Sequence, residues 1–298
     1  QERWPWESNR VPLSGNHQDM TWLNRHFQNV WDVWHKPGEA LRYGMIWESP
    51  DLFQKLDEVL NRMPYDAIWA PGEAYPLYSY RKNADLPVLT GPTDSMHLQY
   101  RRTVATARNP IRKFKAMVKW GLFIRYQLQI LNRMQHLLVV AEKDARSMKR
   151  FSPRVNIHVV PNGVNVDYLA PPNNNQRIPT RLVFLGTLGK GSTNEHSLVW
   201  FLKAVWPKIQ KTNSDASLEI IGPHPSDTLS KIVAACRNVQ LLGFVEDIRP
   251  PLWRAGIFVL PMQSGAGIKN KLLEAWAAGC VVISTPLGIE GVSHAKSA

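Results

Sequence analysis

GIFVLPMQSGAGIKNKLLEAWAAGCVVIST, Gly256 to Thr285, decides how this chain is read. An apolar run is followed by a loop bare of side chains at Gly265, Ala266 and Gly267. Ile268, Lys269 and Lys271 then lead into a helical pattern that carries a lone glutamate, Glu274, and CVVIST closes the stretch as a second apolar run. Strand, loop, helix and strand in that order make one parallel βαβ unit. If the helix begins near Ile268, the small loop residues leave backbone N–H groups open at its start, where an anion is held. Lys269 and Lys271 add full positive charge to the partial charge of the helix end, and together they suit a diphosphate. Glu274 is placed to accept paired hydrogen bonds from a sugar or ribose diol.

The same alternation runs through the whole second half. RLVFLG, SLEIIG and VQLLGF read as short buried strands, separated by helices around NEHSLVWFLKAVWPKIQ and DTLSKIVAAC, with EDIRPPLWRA before GIFVLP. Apolar strands in strict alternation with helices indicate a parallel, doubly wound sheet covered on both faces. Such sheets bind ligands beyond the carboxyl ends of their strands. The first half is less regular, but DAIWA, LPVLTG, HLLVVA and NIHVVP read as buried strands too. Ser49-Pro50 ahead of DLFQKLDEVLNRM signals a helix. PNGVNVDYLAPPNNNQRIPT, residues 161–180, is dense in Pro, Asn and Gly and reads as a linker. The expected organisation is therefore a first domain over 1–160, the linker over 161–180 and a second domain over 181–298. The segment before Gly44, with Trp4, Trp6, Trp22, Trp31 and Trp34, has no assigned place.

Composition narrows the class. The chain has 298 residues, 44% of them hydrophobic and 10% aromatic, which is globular rather than disordered. It carries no apolar run long enough to span a membrane. Two cysteines, Cys236 and Cys280, are too few for a disulfide framework and fit a reducing compartment. The nine histidines show no zinc spacing, so no metal site is expected. The net charge is +12, and Arg101 to Arg150 alone holds 13 Lys and Arg against Glu142 and Asp144. In IRKFKAMVKWGLFIRYQLQILNRM the basic residues alternate with apolar ones, as in an amphipathic helix. Arg112, Lys113, Lys115 and Lys119 form either a solvated face or a patch for an anionic membrane surface or acceptor. No nucleic-acid motif accompanies the charge, and nucleic acid is not an expected partner.

These residues resemble a family. Gly265 to Thr285, with GIEG at Gly288 to Gly291, is similar to the donor-site signature of retaining GT-B glycosyltransferases of family four. VVPNGVNVDYLAP at 159–171, GFVEDIRPPLWRAGIFVLP at 243–261 and LPVLTGPTDS at 86–95 resemble further segments of that family, in the same order. The resemblance covers about Asp66 to Val292. It implies two Rossmann-like domains with parallel sheets facing a cleft, and a nucleotide-diphosphate sugar, UDP- or GDP-linked, held by the C-terminal domain. It implies transfer of the sugar, with retention of configuration, to a glycan or lipid-linked acceptor in polysaccharide or glycolipid biosynthesis. No cofactor is implied. The chain also reads as lacking the family's first acceptor-domain strand and its closing helix, so a fragment or processed form is expected.

Two departures matter. The family's first donor-loop glutamate would stand at Ala266, and the Arg and Lys that follow its first donor-domain strand are reduced here to Lys190 in FLGTLGKGSTNEH. The diphosphate is therefore assigned to Lys269, Lys271 and the amides of Gly265 to Ile268, with Lys190 a weaker candidate, and the ribose to Glu274. Asp94, closing the strand LPVLTG, is the catalytic candidate, a carboxylate that orients an acceptor hydroxyl or supports developing positive charge on the sugar. A sugar-nucleotide epimerase of the same architecture and an inactive binding module are the alternatives. The expected location is the cytoplasm, peripheral at the inner face of the membrane.

Overall fold

The structure is a computed structural model that describes residues 58–70, 86–107, 109–129 and 136–292. The Trp-rich segment and residues 51–57 of the helix expected after Ser49-Pro50 lie outside the described residues; residues 58–62 are helical. By its internal contacts the chain forms two compact units. One comprises Gln1–Gly91, Ile124–Leu137 and Arg154–Asn156, the other Pro92–Phe123, Leu138–Pro153 and Ile157–Ala298.

The four apolar runs of the first half become β1 (Ile68–Ala70), β2 (Val88–Thr93), β3 (His136–Val139) and β4 (Asn156–Val159), a sheet in the order β1-β2-β3-β4. β1 and β2 pair in parallel, with Ile68 beside Val88. The described helices between β2 and β4 are α1 (Met96–Thr106), α2 (Pro110–Gln129) and α3 (Glu142–Lys149). Ser95 caps α1, its hydroxyl accepting from the Leu98 amide. A short α4 (Val166–Leu169), capped by Asn165, follows β4.

The second sheet contains β5 (Ile178–Leu185), β6 (Ser217–Ile221), β7 (Val239–Gly243), β8 (Ala255–Leu260) and β9 (Val281–Ser284) in the order β7-β6-β5-β8-β9. All four pairings are parallel. The chain winds from β5 out to β7 and then returns to β8 and β9, so the winding reverses between β5 and β8. Alternate residues supply the two faces. On one face Leu182, Phe184, Leu218 and Ile220 pack against α5 (Thr193–Ala204), α6 (Trp206–Thr212) and α7 (Asp227–Ala234) through Leu198, Phe201, Trp206 and Leu229. On the other, Val183, Ile221, Phe258 and Leu260 meet Leu252 of α8 (Arg249–Arg254) and Leu272 and Ala275 of α9 (Asn270–Ala277). Cover on both faces is why these strands read as unbroken apolar runs. The helix expected around NEHSLVWFLKAVWPKIQ divides at Val205, because Pro207 in the first turn of α6 has no N–H to continue the ladder.

At Gly256 the pairing of β5 with β8 leaves no space for a side chain. An added Cβ would stand 2.7 Å from Ile178 O and from Pro179 Cα and O, all backbone atoms that cannot swing aside. Gly256→Ala is therefore expected to cost about 1–3 kcal/mol, the range for overpacking a dense interior. Urea denaturation reads this as a lower midpoint, and an unchanged midpoint would contradict the close approach of these strands.

Candidate functional site

The site is built where the winding reverses, from the loops that follow β5 and β8. After β8 the chain passes Pro261 to Lys269 before α9 begins at Asn270, two residues later than the start expected near Ile268. Lys269, the N-cap, is extended at φ −89° and ψ 103°, and Ile268 ahead of it, 9% exposed, packs with Val140 and Ala141. Gly265 and Gly267 take φ of 119° and 69°, a region that side chains rarely enter. A Cβ at Gly267 would collide with Asp94 Oδ1, so the carboxylate lies directly against the bare face of this loop.

Asp94 follows β2, and the neighbouring cap of α1 is made by Ser95 rather than by Asp94 itself. The Ser95 amide donates to Asp144 Oδ1 at 3.1 Å, and its hydroxyl bonds that of Ser147 at 3.2 Å, which ties the turn to α3. Burial, and then the Asp144 carboxylate, push the Asp94 pKa up to about 6 against the pull of Lys269. Lys269 Nζ donates to Ala266 O at 2.6 Å and Gly267 O at 2.8 Å. Burial lowers its pKa, while Asp94, Glu290 and Asp144 favour its charge.

Lys271 leaves α9 in another direction. Its Nζ donates to Asn194 Oδ1 at 2.5 Å and lies 5.0 Å from the Phe184 ring centroid. Burial, and then the charge of Lys269, bring its pKa down to about 8, with Glu274 opposing. The loop after β5 is drawn tight by Gly186 N donating to Ile221 O at 3.0 Å and Leu188 N to Pro223 O at 3.0 Å. Glu195 accepts from the Gly191 amide and from Ser226 Oγ, while Lys190 stands exposed at the loop. Glu274 borders a cavity of about 270 Å³ lined also by Gly163, Asn165, Tyr168, Ile248 and Asn270. Burial raises its pKa and Lys271 opposes that rise.

Residues 179–297 match the family model of glycosyl transferases group 1, Glyco_trans_1_4. A Klebsiella pneumoniae protein described as "Uncharacterized 44.6 kDa protein in cps region" is 32% identical over 117 residues, covering 37% of this chain and 30% of that protein. Among solved structures, TarM is similar with a TM-score of 0.57 at 15% identity, over 78% of this chain and 44% of TarM. The pneumococcal O-GlcNAc transferase GtfA, solved in complex with UDP and GlcNAc, gives 0.57 at 16% identity, over 81% of this chain and 46% of GtfA. WaaG, a glycosyltransferase involved in lipopolysaccharide biosynthesis, gives 0.52 at 15%, over 84% of this chain and 69% of WaaG. The chain thus spans under half of TarM and under a third of the Klebsiella protein. The fold is the α/β, GT-B glycosyltransferase type with parallel sheets.

Within this fold, the expected residues Gly265 to Lys271 and Asp94 come together, and Glu274 lies along the same helix beside the cavity. Four charged groups at the loop were not singled out from the sequence. Arg102 of α1 donates from Nη1 to Gly265 O at 2.5 Å and from Nη2 to Glu290 Oε1 at 2.5 Å, and Lys143 bonds the other oxygen of Glu290. Asp144 anchors the Asp94 turn. The available signals were weak: Arg102 and Lys143 counted only toward the basic excess, and Glu290 stood in GIEG without a role. On α2, Lys113, Lys115 and Lys119 are exposed, and so are Ile111 and Phe114 at 67% and Met117 at 51%. Phe123 is buried, Trp120 donates to His97 Nδ1 at 2.8 Å, and the side chains of Arg112 and Leu122 lie outside the described residues.

The bridge at Glu290 yields a test. The facing side chains of Arg102 and Glu290 are 15% and 17% exposed. Burial alone would raise the Glu290 pKa, but the hydrogen bonds from Lys143 and Arg102 outweigh it and hold it below the usual range. Arg102→Ala or Glu290→Gln is expected to cost about 1.5–3 kcal/mol, the range for a hydrogen bond to a charged group. A depressed carboxylate pKa contributes stability in full above its unfolded value, near 4.3, and loses it as pH falls through the folded value. Urea midpoints of wild type should therefore drop more between pH 7 and pH 3.5 than those of Glu290→Gln.

Proposed function

We propose that this protein is a glycosyltransferase that moves a sugar from a UDP- or GDP-linked donor to a glycan or lipid-linked acceptor, with retention of configuration. The polymer or glycolipid pathway follows from the acceptor class and accords with the cps-region relative. One observation carries the reading: the glycine loop, two lysines and Glu274 stand at the reversal between β5 and β8, in a segment matched by a glycosyltransferase family model. In this reading residues 1–160 form the acceptor-side domain, 161–180 the linker and 181–298 the donor domain. The amides of Gly265, Ala266, Gly267 and Ile268, with Lys269, Lys271 and the outlying Lys190, frame the diphosphate, and Glu274 takes the ribose diol.

Asp94 is the catalytic group of this proposal. Its carboxylate lies against Gly267 of the donor loop. There it supports positive charge that develops on the sugar as the diphosphate leaves. Retention places the new bond on the face from which the diphosphate departs. Direct same-face attack needs only that the departing phosphate oxygen accept the acceptor's proton. The epimerase alternative lacks support from the matched family, and an inactive module is the remaining contrast.

Product analysis tests the reading. The full chain, given a UDP- or GDP-sugar with an acceptor, should release nucleoside diphosphate and form a glycoside. An epimerised donor, or binding without turnover, would overturn it. Glu274→Gln removes the charge and keeps the shape, so it should weaken binding of UDP more than of 2′-deoxy-UDP, by about 1.5–3 kcal/mol for the ribonucleotide. Equal losses would reduce Glu274 to a structural part.

The acceptor side of the proposal rests on α2. Lys113, Lys115 and Lys119 stand outward with Ile111, Phe114 and Met117, which suits an anionic lipid surface with shallow apolar insertion. No helix among the described residues is long and apolar enough to cross a membrane. We place the protein in the cytoplasm, peripheral at the inner face, with Arg112 completing the basic set. Each Lys or Arg near such a surface contributes about 1 kcal/mol. Co-sedimentation with anionic vesicles at low salt, lost at high salt and lost when these four residues become Gln, is the expected result. A protein left in the supernatant with anionic vesicles at low salt would remove the membrane from the proposal.

A further inference from the structure

We propose that Lys271, rather than Lys269, is the cation that takes the donor's diphosphate, and that Asn194 is the positioning residue that presents it. This rests on the donor reading above and divides between two lysines a task the sequence gives to both. They lie two residues apart and carry the same charge, but their surroundings differ in kind. Lys269 Nζ donates to the carbonyls of Ala266 and Gly267 in its own loop. Its charge is compensated by Asp94, Glu290 and Asp144. A diphosphate approaching that ammonium would meet carboxylates first. Lys269 thus fixes the loop's shape.

Lys271 is compensated differently. Its hydrogen-bond partner is a neutral amide oxygen, Asn194 Oδ1, and its other close neighbour is the face of Phe184. Its nearest charges are Lys269, which opposes protonation, and Glu274, which favours it. An ammonium desolvated beside neutral groups gains most from an incoming dianion. The location agrees. A Cβ added at Gly186, at the carboxyl end of β5, would stand 2.7 Å from Lys271 Nζ and 2.8 Å from Asn194 Nδ2. The side chain therefore reaches from α9 across to the loop after β5, and supplies there the buried positive charge that this loop's own lysine, the exposed Lys190, does not.

Asn194 sets that reach. It sits in the first turn of α5, and its Nδ2 donates to Thr187 O at 3.0 Å. That bond settles which way the amide faces, so Oδ1 points to Lys271. One side chain thereby ties the β5 loop, α5 and α9 around a single ammonium.

The test is calorimetry on the full chain with UDP and GDP, and with uridine and guanosine as controls that lack phosphate. Lys271→Ala should lower diphosphate affinity about ten- to hundredfold and leave nucleoside affinity unchanged, with Lys271→Arg recovering most of the loss. Asn194→Ala should lower diphosphate affinity several-fold, again without touching the nucleoside. Lys269→Ala should lower thermal stability, and any loss of diphosphate affinity should be smaller than that of Lys271→Ala. A neutral Lys271 attracts phosphate less, so wild-type diphosphate affinity should fall as pH rises through about 8. That limb should vanish in Lys271→Ala and move to higher pH in Asn194→Asp, where a carboxylate holds the proton, a response a merely structural Asn194 would not give. Selective loss of diphosphate affinity in Lys269→Ala with none in Lys271→Ala overturns the inference, as does an Asn194→Ala variant indistinguishable from wild type. Wild type that binds neither UDP nor GDP overturns the donor reading itself.

Discussion

Two ammonium groups, those of Lys269 and Lys271, must be kept charged and partly out of water at the end of one parallel sheet, and much of the site is arranged to meet that demand. Desolvating like charges two residues apart is unfavourable unless each finds compensation. The chain separates them. Lys269 turns back into its own loop among carboxylates brought by β2, α3 and the turn at Glu290, and Lys271 reaches over β5 to an amide on α5. Glu290 belongs to the same scheme, since Arg102 and Lys143 neutralise it while Arg102 also holds Gly265 O. Loop shape and charge balance are thus one problem, and the glycines at 265 and 267 admit the backbone angles that solve it.

The sheet supplies the rigidity this requires. Phe184, Phe258, Leu198 and Leu272 are fully buried, and the strand ends that carry the two loops are pinned from both faces. Gly186 and Gly222 lie at the ends of neighbouring β5 and β6, and a Cβ at Gly222 would collide with Gly186 O. The two strand ends therefore approach closely, the β5 loop is held by Gly186 N and Leu188 N, and Asn194 finds Thr187 O in a fixed place. A position set by interior packing stays within the few tenths of an ångström that phosphate hydrogen bonds tolerate.

The second sheet was legible because burial on both faces leaves a strong local mark, and SLEIIG or GIFVLP can hardly be anything but inner strands. The glycines, lysines and Glu274 of the loop were legible because their spacing is local too. What could not be read is whatever depends on chain brought from far away. Arg102 meets Glu290 across 188 residues, and Lys271 meets Asn194 across 77. Neither distance leaves a trace in spacing. The helix near Ile268 begins at Asn270, and the packing of Ile268 with Val140 and Ala141 is a contact the local pattern does not contain. Glu195, a good first-turn residue of α5 by sequence, is in fact turned to the Gly191 amide and Ser226, where it braces the loop ahead of its helix.

The basic helix α2 shows the same limit at the level of rotation. Its apolar residues lie on more than one side, so periodicity alone leaves open which of Phe114, Met117, Trp120 and Phe123 turns inward. Packing decides it. Phe123 is buried with Tyr100 beside it, and Trp120 Nε1 donates to His97 Nδ1, which fixes the helix about its axis and leaves Phe114 and Met117 outside with the lysines. That hydrogen bond requires a neutral imidazole, because a protonated ring carries an N–H on both nitrogens and accepts from neither. Burial, and then Arg101 and Arg150, hold the His97 pKa below its usual value. Burial and the basic residues near His97 thus favour the neutral ring that accepts from Trp120.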